Sequence, residues 1–185
     1  MPDARYKPMD FCRQMRWWEW VLAVVMILAP LAGGFVGARS FNTGAYKRGE
    51  FQSPDFAPPS WVFSPVWSIL YLMMGVASFL VLKCGGGFNR ETVPPLLIYL
   101  IHLIINWLWT PMFFGFGQFA MALADIGAMW ALALACVITF VNPSLIAACL
   151  MVPYLLWLSF AMVLNYSIVC LNGASINGTN TTWGF

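Results

Sequence analysis

The single histidine of the chain, His102, is followed by Asn106, Trp109 and Phe113 at steps that place all four on one face of a helix. Imidazole and carboxamide are too polar to face lipid. Within an apolar run they either hydrogen-bond a neighbouring helix or reach a bound ligand, and for His102 the second reading extends to an iron contact. Asn106 reads first as interhelical glue. Asp125 is the one acidic residue in the interior of an apolar run, where a naked carboxylate in hydrocarbon is expensive. It should lie near an end, be protonated or be paired, either as an anchoring hydrogen-bond partner or as a proton-relay or substrate group. Around it Ala120, Ala124 and Ala128 recur at four-residue steps and mark a face that packs on another helix.

Two further groups could build a binding site. Trp61, Phe63, Pro65, Trp67 and Tyr71 crowd the leading half of the run after Pro58-Pro59, with more aromatic and proline content than lipid contact needs, and read as the wall of a ligand chamber. Trp157, Ala161, Leu164 and Asn165 share one helical face. Small and medium residues beneath a tryptophan form a pocket floor, or else admit a neighbouring helix. The five cysteines, Cys12, Cys84, Cys136, Cys149 and Cys170, include no CxxC pair and have no His-rich surroundings, so neither a metal site nor a disulfide framework is supported.

The elements that must position these groups are membrane spans. The 185 residues are 61% hydrophobic, 17% aromatic and only 9% charged, whereas a soluble domain carries about 25% charged residues. The second apolar run holds about 22 residues without an ionisable side chain before Lys83. At about 1.5 Å per residue it crosses a hydrocarbon core of roughly 30 Å. The same reading predicts an all-α integral membrane protein, a five-transmembrane-helix bundle with spans at 17–38, 61–82, 94–114, 118–141 and 144–171 forming one membrane domain, 17–171. A polar basic tail, 1–16, precedes it, and a tail, 172–185, follows. Because the first apolar run begins only at Trp17, a cleaved signal peptide is a poor match. Gly33-Gly34-Phe35-Val36-Gly37 has the small-xxx-small spacing that admits another backbone, inside the bundle or at a dimer face. The connection 39–60, long and beside the aromatic wall, is expected to act as a lid, a plain solvated linker being the other reading, and 84–91 as a flexible turn carrying no site. All nine Lys and Arg fall at or before Arg90. Counted by side, they place the N-terminus in the cytoplasm of a bacterium or its equivalent in an organelle, and give no reason to invoke nucleic acid.

Pro58-Pro59-Ser60-Trp61-Val62-Phe63-Ser64-Pro65-Val66-Trp67 with Leu70-Tyr71 and Met74-Gly75, Asn106-Trp107-Leu108-Trp109-Thr110-Pro111-Met112-Phe113-Phe114-Gly115, Ala122-Leu123-Ala124-Asp125, and Pro153-Tyr154-Leu155-Leu156-Trp157 with Leu164-Asn165-Tyr166 resemble the TspO/translocator protein family, once called the peripheral-type benzodiazepine receptor. The likeness covers about residues 20 to 170, in order. It implies a five-helix bundle, usually a homodimer, in a bacterial cell membrane, the mitochondrial outer membrane or another organelle membrane. It implies no required cofactor, and a pocket for tetrapyrroles such as protoporphyrin IX and haem and for hydrophobic, benzodiazepine-type drug ligands. Carried over by motif, the pocket comprises Gly37, Ser40, Phe63, Ser64, Val66, Trp67, Trp109, Ala124, Trp157, Ala161 and Leu164. In bacterial relatives a pair matching Trp67 and Trp157 is associated with light- and oxygen-dependent porphyrin breakdown, and indole is an oxidisable donor that stacks on a macrocycle. Two departures stand out. Lys47-Arg48 occupy the place of an early loop aromatic pair, where they could meet porphyrin propionates. After Tyr166 the sequence runs Ser167-Ile168-Val169-Cys170-Leu171 without the basic residue of the sterol pattern, which argues against sterol.

Three function classes follow. A receptor or scavenger needs only the pocket, an enzyme needs Trp67 and Trp157 to change during turnover, and a transporter needs two accessible states. The paired broken helices and acidic ion sites of coupled transporters are missing, so tetrapyrrole binding ranks first, photodegradation second and transport third.

Overall fold

The structure, a computed structural model, describes residues 16–41 and 51–174. Lys47-Arg48, the middle of the lid loop and both tails lie outside the described residues. Five helices result: α1 (Trp17–Ser40), α2 (Ser60–Cys84), α3 (Val93–Thr110, prolonged by a π turn at Pro111–Gly115), α4 (Phe119–Phe140) and α5 (Leu145–Asn172). All five are long and apolar enough to cross a membrane, and among the described residues there is no strand. The chain is therefore an all-helical, multi-pass membrane protein. The principal contacts run α1 to α2, α2 to α5, α5 to α4, α4 to α3 and α3 back to α1, a closed ring of five.

Proline sets the helix starts. Pro59 caps α2 in extended conformation, and Pro94-Pro95 open α3, where a missing N–H costs nothing. Ser144 caps α5, its hydroxyl accepting from the Ala147 amide at 3.3 Å. Pro111 cannot donate to the carbonyl four residues back. The chain widens there into the π turn, with the Phe116 amide donating to the Pro111 carbonyl at 2.9 Å.

The turn between α2 and α3 differs from expectation. Gly86 and Gly87 have positive φ, 82° and 93°, yet Asn89 braces the loop. Its Nδ2 donates to the Gly85 carbonyl at 2.7 Å, while its Oδ1 accepts from the Glu91 and Thr92 amides at 2.8 and 3.1 Å. Buried Thr92 adds a hydroxyl donated to the Gly87 carbonyl at 2.6 Å. Glycine permits the path and a side-chain network fixes it.

The core lies between α2, α3, α4 and α5, with Met74, Ala77, Val81, Met129, Ala133, Cys136, Met151 and Leu158 essentially inaccessible. α1 is the outlier, burying only Ala23, Pro30 and Gly37. It is seated by glycines: Gly33 lies against the Trp107 ring, Gly34 against Tyr71, and Gly37 against Thr110. The small-residue stripe is thus used inside the bundle. In return Gly75 of α2 meets the α1 backbone so closely that a Cβ there would sit 2.5 Å from Ile27 Cα and 2.8 Å from the Met26 carbonyl oxygen. Pro30 leaves that Met26 carbonyl without its helical donor, and the bare Gly75 backbone is what covers it. At the membrane edge Lys83 Nζ donates to the Glu19 carboxylate at 2.9 Å, tying the start of α1 to the end of α2.

The alanine stripe of α4 faces the opposite way from its predicted orientation. Ala120, Ala124 and Ala128 are exposed, and the buried face is Phe119, Ala122, Ile126, Met129, Ala133, Cys136 and Phe140. Lipid makes no distinction between the two apolar rows, but the bulky row fills the interior more densely and gains more dispersion contacts there.

Candidate functional site

Residues 63, 67 and 71 follow each other at four-residue steps down α2, which makes Phe63, Trp67 and Tyr71 one ridge. Across from it α5 presents Trp157, Phe160 and Ala161. The two tryptophans meet edge to face, ring centroids 6.5 Å apart and planes at 87°. Phe63 stands edge-on to Trp157 at 6.1 Å, and Phe160 lies 5.3 Å from Trp157, tilted by 41°. These edge-to-face contacts follow from the ring quadrupole, which sets positive edges on negative faces. Val66, Trp67, Trp109, Trp157 and Ala161 are all partly buried against the main core. The indole N–H of Trp157 is buried and has no hydrogen-bond partner among the described residues.

Beneath Trp67 lies a polar network. Tyr71 Oη donates to Asn106 Oδ1 at 2.9 Å, and Asn106 Nδ2 donates to Tyr154 Oη at 2.8 Å and approaches Met129 Sδ at 3.4 Å. Tyr154 Oη is 2.9 Å from His102 Nε2. The tautomer of His102 decides which of the two donates, and the Tyr154 hydroxyl also lies 3.9 Å from Met129 Sδ. His102 and Tyr154 have no measurable exposure and Asn106 is 3% exposed. His102 and Asn106 therefore join α3 to α5, and Asn106 also joins α3 to α2. With Nε2 engaged and the ring enclosed, an iron contact at His102 has no opening, and no group of three or more metal-ligating side chains occurs among the described residues.

A second knot lies at the end where α3 turns into α4. The π turn stacks Phe113 on Trp109, centroids 4.9 Å apart and 24° between planes. Trp109 Nε1 donates to Asn165 Oδ1 at 3.2 Å, and Asn165 Nδ2 donates to the Phe119 carbonyl at 3.0 Å. Leu164 is buried here beside Phe119, Ala122 and Ile168, and Phe63 and Trp109 pack on the same cluster. Phe51, from the loop before α2, packs edge-on against both Phe113 and Phe119 at 5.5 and 5.4 Å. A reciprocal clasp follows: the Gln52 amide donates to Asn172 Oδ1 at 2.7 Å, and Asn172 Nδ2 donates to the Gln52 carbonyl at 2.8 Å. These two bonds pin the described end of the loop to the last turn of α5. Phe51, Gln52 and Asn172 were not found by motif. An isolated aromatic after a charged stretch was the one available sign of the first, and nothing local relates Gln52 to a residue 120 positions away.

The remaining expected positions are spread out. Gly37 is buried against Thr110, whose Cβ would lie 3.4 Å from a Cβ at position 37, while Ser40, Ser64 and Ala124 are exposed. Asp125 sits in the second turn of α4, near a helix end, and its Oδ2 is buried with no hydrogen-bond partner among the described residues. A separate open cleft of about 530 Å³ lies outside the chamber, between Ser53, Pro54, Asp55 and Phe56 of the loop and Tyr166 and Cys170 of α5.

The family model for the TspO/MBR family matches residues 22–171. The translocator protein of Bos taurus is 42% identical over 154 residues, which span 80% of this chain and 88% of the relative. That of Homo sapiens is 42% identical over 150 residues, 80% and 89% of the two chains. The tryptophan-rich protein TspO of Chlorobaculum tepidum is 36% identical over 143 residues, 77% and 90%.

Proposed function

The chain belongs to the TspO/MBR family, and on that premise we propose that this membrane binding protein is a receptor for tetrapyrroles, protoporphyrin IX and haem, and for hydrophobic drug-like molecules, with a regulatory or scavenging role. The observation that carries the reading is the aromatic cluster of Phe63, Trp67 and Trp157 with the unpartnered, buried Trp157 N–H. Flat apolar faces offer stacking to a macrocycle, and one buried donor rewards a ligand bearing an acceptor, because an unmet donor in a dry site costs about 1–3 kcal/mol. The clasped loop end supports a lid over that cluster. A homodimer is part of the proposal, checked by crosslinking in native membranes.

Titration of the purified protein with protoporphyrin IX in darkness tests the reading. Saturable quenching of indole fluorescence, lost in Trp157→Ala, is expected; quenching that is linear with added porphyrin, or equal in the variant, removes the chamber as the binding site.

The contact between Trp67 and Trp157 favours a second reading, light- and oxygen-dependent degradation of the bound tetrapyrrole. Trp67→Phe and Trp157→Phe keep an apolar ring but lack the oxidisable indole. Under illumination they should retain dark affinity and lose product formation; degradation as fast as the parent's leaves a receptor or reservoir. Transport is not carried by any feature of the site.

A further inference from the structure

We propose that Tyr154 and His102 form a proton-coupled electron relay that returns an electron to an oxidised Trp67. The Tyr154 ring stands 6.2 Å from Trp67, at 68°, and its hydroxyl lies 2.9 Å from His102 Nε2. The step balances. The indole radical cation takes one electron from the phenol, the phenolic proton moves to His102 Nε2, and the products are neutral tryptophan, a neutral phenoxyl radical and an imidazolium. Trp157, edge-on to Trp67 at 6.5 Å, extends the chain of rings to Phe63 and Phe160.

Tyr71 is nearer to Trp67, at 5.4 Å, but cannot serve. Its hydroxyl donates to the amide oxygen of Asn106, which is no base at neutral pH, whereas the Tyr154 hydroxyl faces an imidazole nitrogen, which in the Nδ1–H tautomer is free to take the phenolic proton. The Asn106 amide holds the Tyr154 hydroxyl oriented by donating to it at 2.8 Å. The imidazolium would have an unpartnered Nδ1, since that atom is buried without a hydrogen bond among the described residues. The proton therefore goes back when the phenoxyl is reduced, and the relay holds the oxidising equivalent only for a time, away from the chamber.

In the cell the oxidant would be the photoexcited tetrapyrrole of the proposed function, and only in that respect does the relay rest on that reading. The test removes the dependence. In ligand-free full-length protein in detergent micelles, an ultraviolet pulse ionises indole, and dissolved dioxygen takes the ejected electron as superoxide. Transient absorption should show indole radical decay matched by phenoxyl growth, slower in heavy water than in ordinary water. The growth should vanish in Trp67→Phe and in Tyr154→Phe, and fall about tenfold in His102→Gln, equivalent to about 1.4 kcal/mol of barrier. It should persist in Tyr166→Phe, which alters an exposed ring on the outer face. Phenoxyl growth unchanged in Tyr154→Phe, no growth in the parent, or no heavy-water effect in the parent overturns the relay; the last two need no folded variant. A second arm uses protoporphyrin IX and visible light with detection by electron paramagnetic resonance. A phenoxyl radical in the ultraviolet arm with none in the porphyrin arm sustains the relay and counts against the tetrapyrrole reading.

Discussion

Ala161 lies one turn beyond Trp157 on α5 and is partly buried against the core, as Trp67 and Trp109 are. A methyl group at that position leaves room for a neighbour that a larger residue would occupy. Ala161→Phe should therefore weaken protoporphyrin IX binding more than tenfold, at least about 1.4 kcal/mol, while helicity by circular dichroism stays at the parent level. Equal affinity in a helical variant would move the ligand elsewhere, with the outer cleft at Tyr166 and Cys170 the next place to look. At this scale the sequence was informative about type and poor about partnership. His102 and Asn106 had to be hydrogen-bonded because lipid cannot solvate them, but that Tyr154 would receive both was not deducible from spacing. Trp67 and Trp157 were paired by resemblance, since 90 positions of chain separate them.

Each glycine contact between α1 and its neighbours is also an element-scale constraint, and Gly75 of α2 is the one that meets backbone rather than a side chain. Gly75→Leu would push a side chain into the Ile27 and Met26 backbone, which cannot yield as a flexible side chain can. The expected cost is about 1–3 kcal/mol, read as a lower unfolding temperature in micelles with α1 separated from α2; no change would show that the two helices are not held this closely. The Gln52–Asn172 clasp makes a gentler prediction. In Asn172→Ala both loop bonds are lost, about 1 kcal/mol each, and amide exchange at Gln52 should rise about tenfold without change in the core of α5. Element existence was legible because apolar runs of span length alternate with proline and glycine punctuation. Orientation was not: in α4, Ala120, Ala124 and Ala128 and the row from Phe119 to Phe140 are both periodic, and only the competition for interior volume turned the bulky row inward. The brace by Asn89 was hidden for a similar reason, since a glycine-rich turn reads as loose until its side-chain acceptors are in place.

For the whole molecule, five crossings put the two ends of the helical bundle on opposite faces of the membrane. Exposed Cys84, at the end of α2, and exposed Cys170, near the end of α5, report those faces. In variants retaining one cysteine each, a membrane-impermeant maleimide should label Cys84 only from the N-terminal side and Cys170 only from the other. Labelling of both from one side would contradict five crossings. The ring order carries a consequence for biogenesis. α1 leaves the ribosome first, yet the surfaces that receive Gly33, Gly34 and Gly37 belong to Trp107, Tyr71 and Thr110 on helices made later. α1 can pair with α2 as soon as that helix is inserted, through Gly34 on Tyr71 and Gly75 on the Met26–Ile27 backbone, but the seats of Gly33 and Gly37 arrive only with α3. A translocation intermediate stalled after α2 should then expose positions 33 and 37 of α1 to crosslinkers in the bilayer, and both should be shielded once α3 has been released.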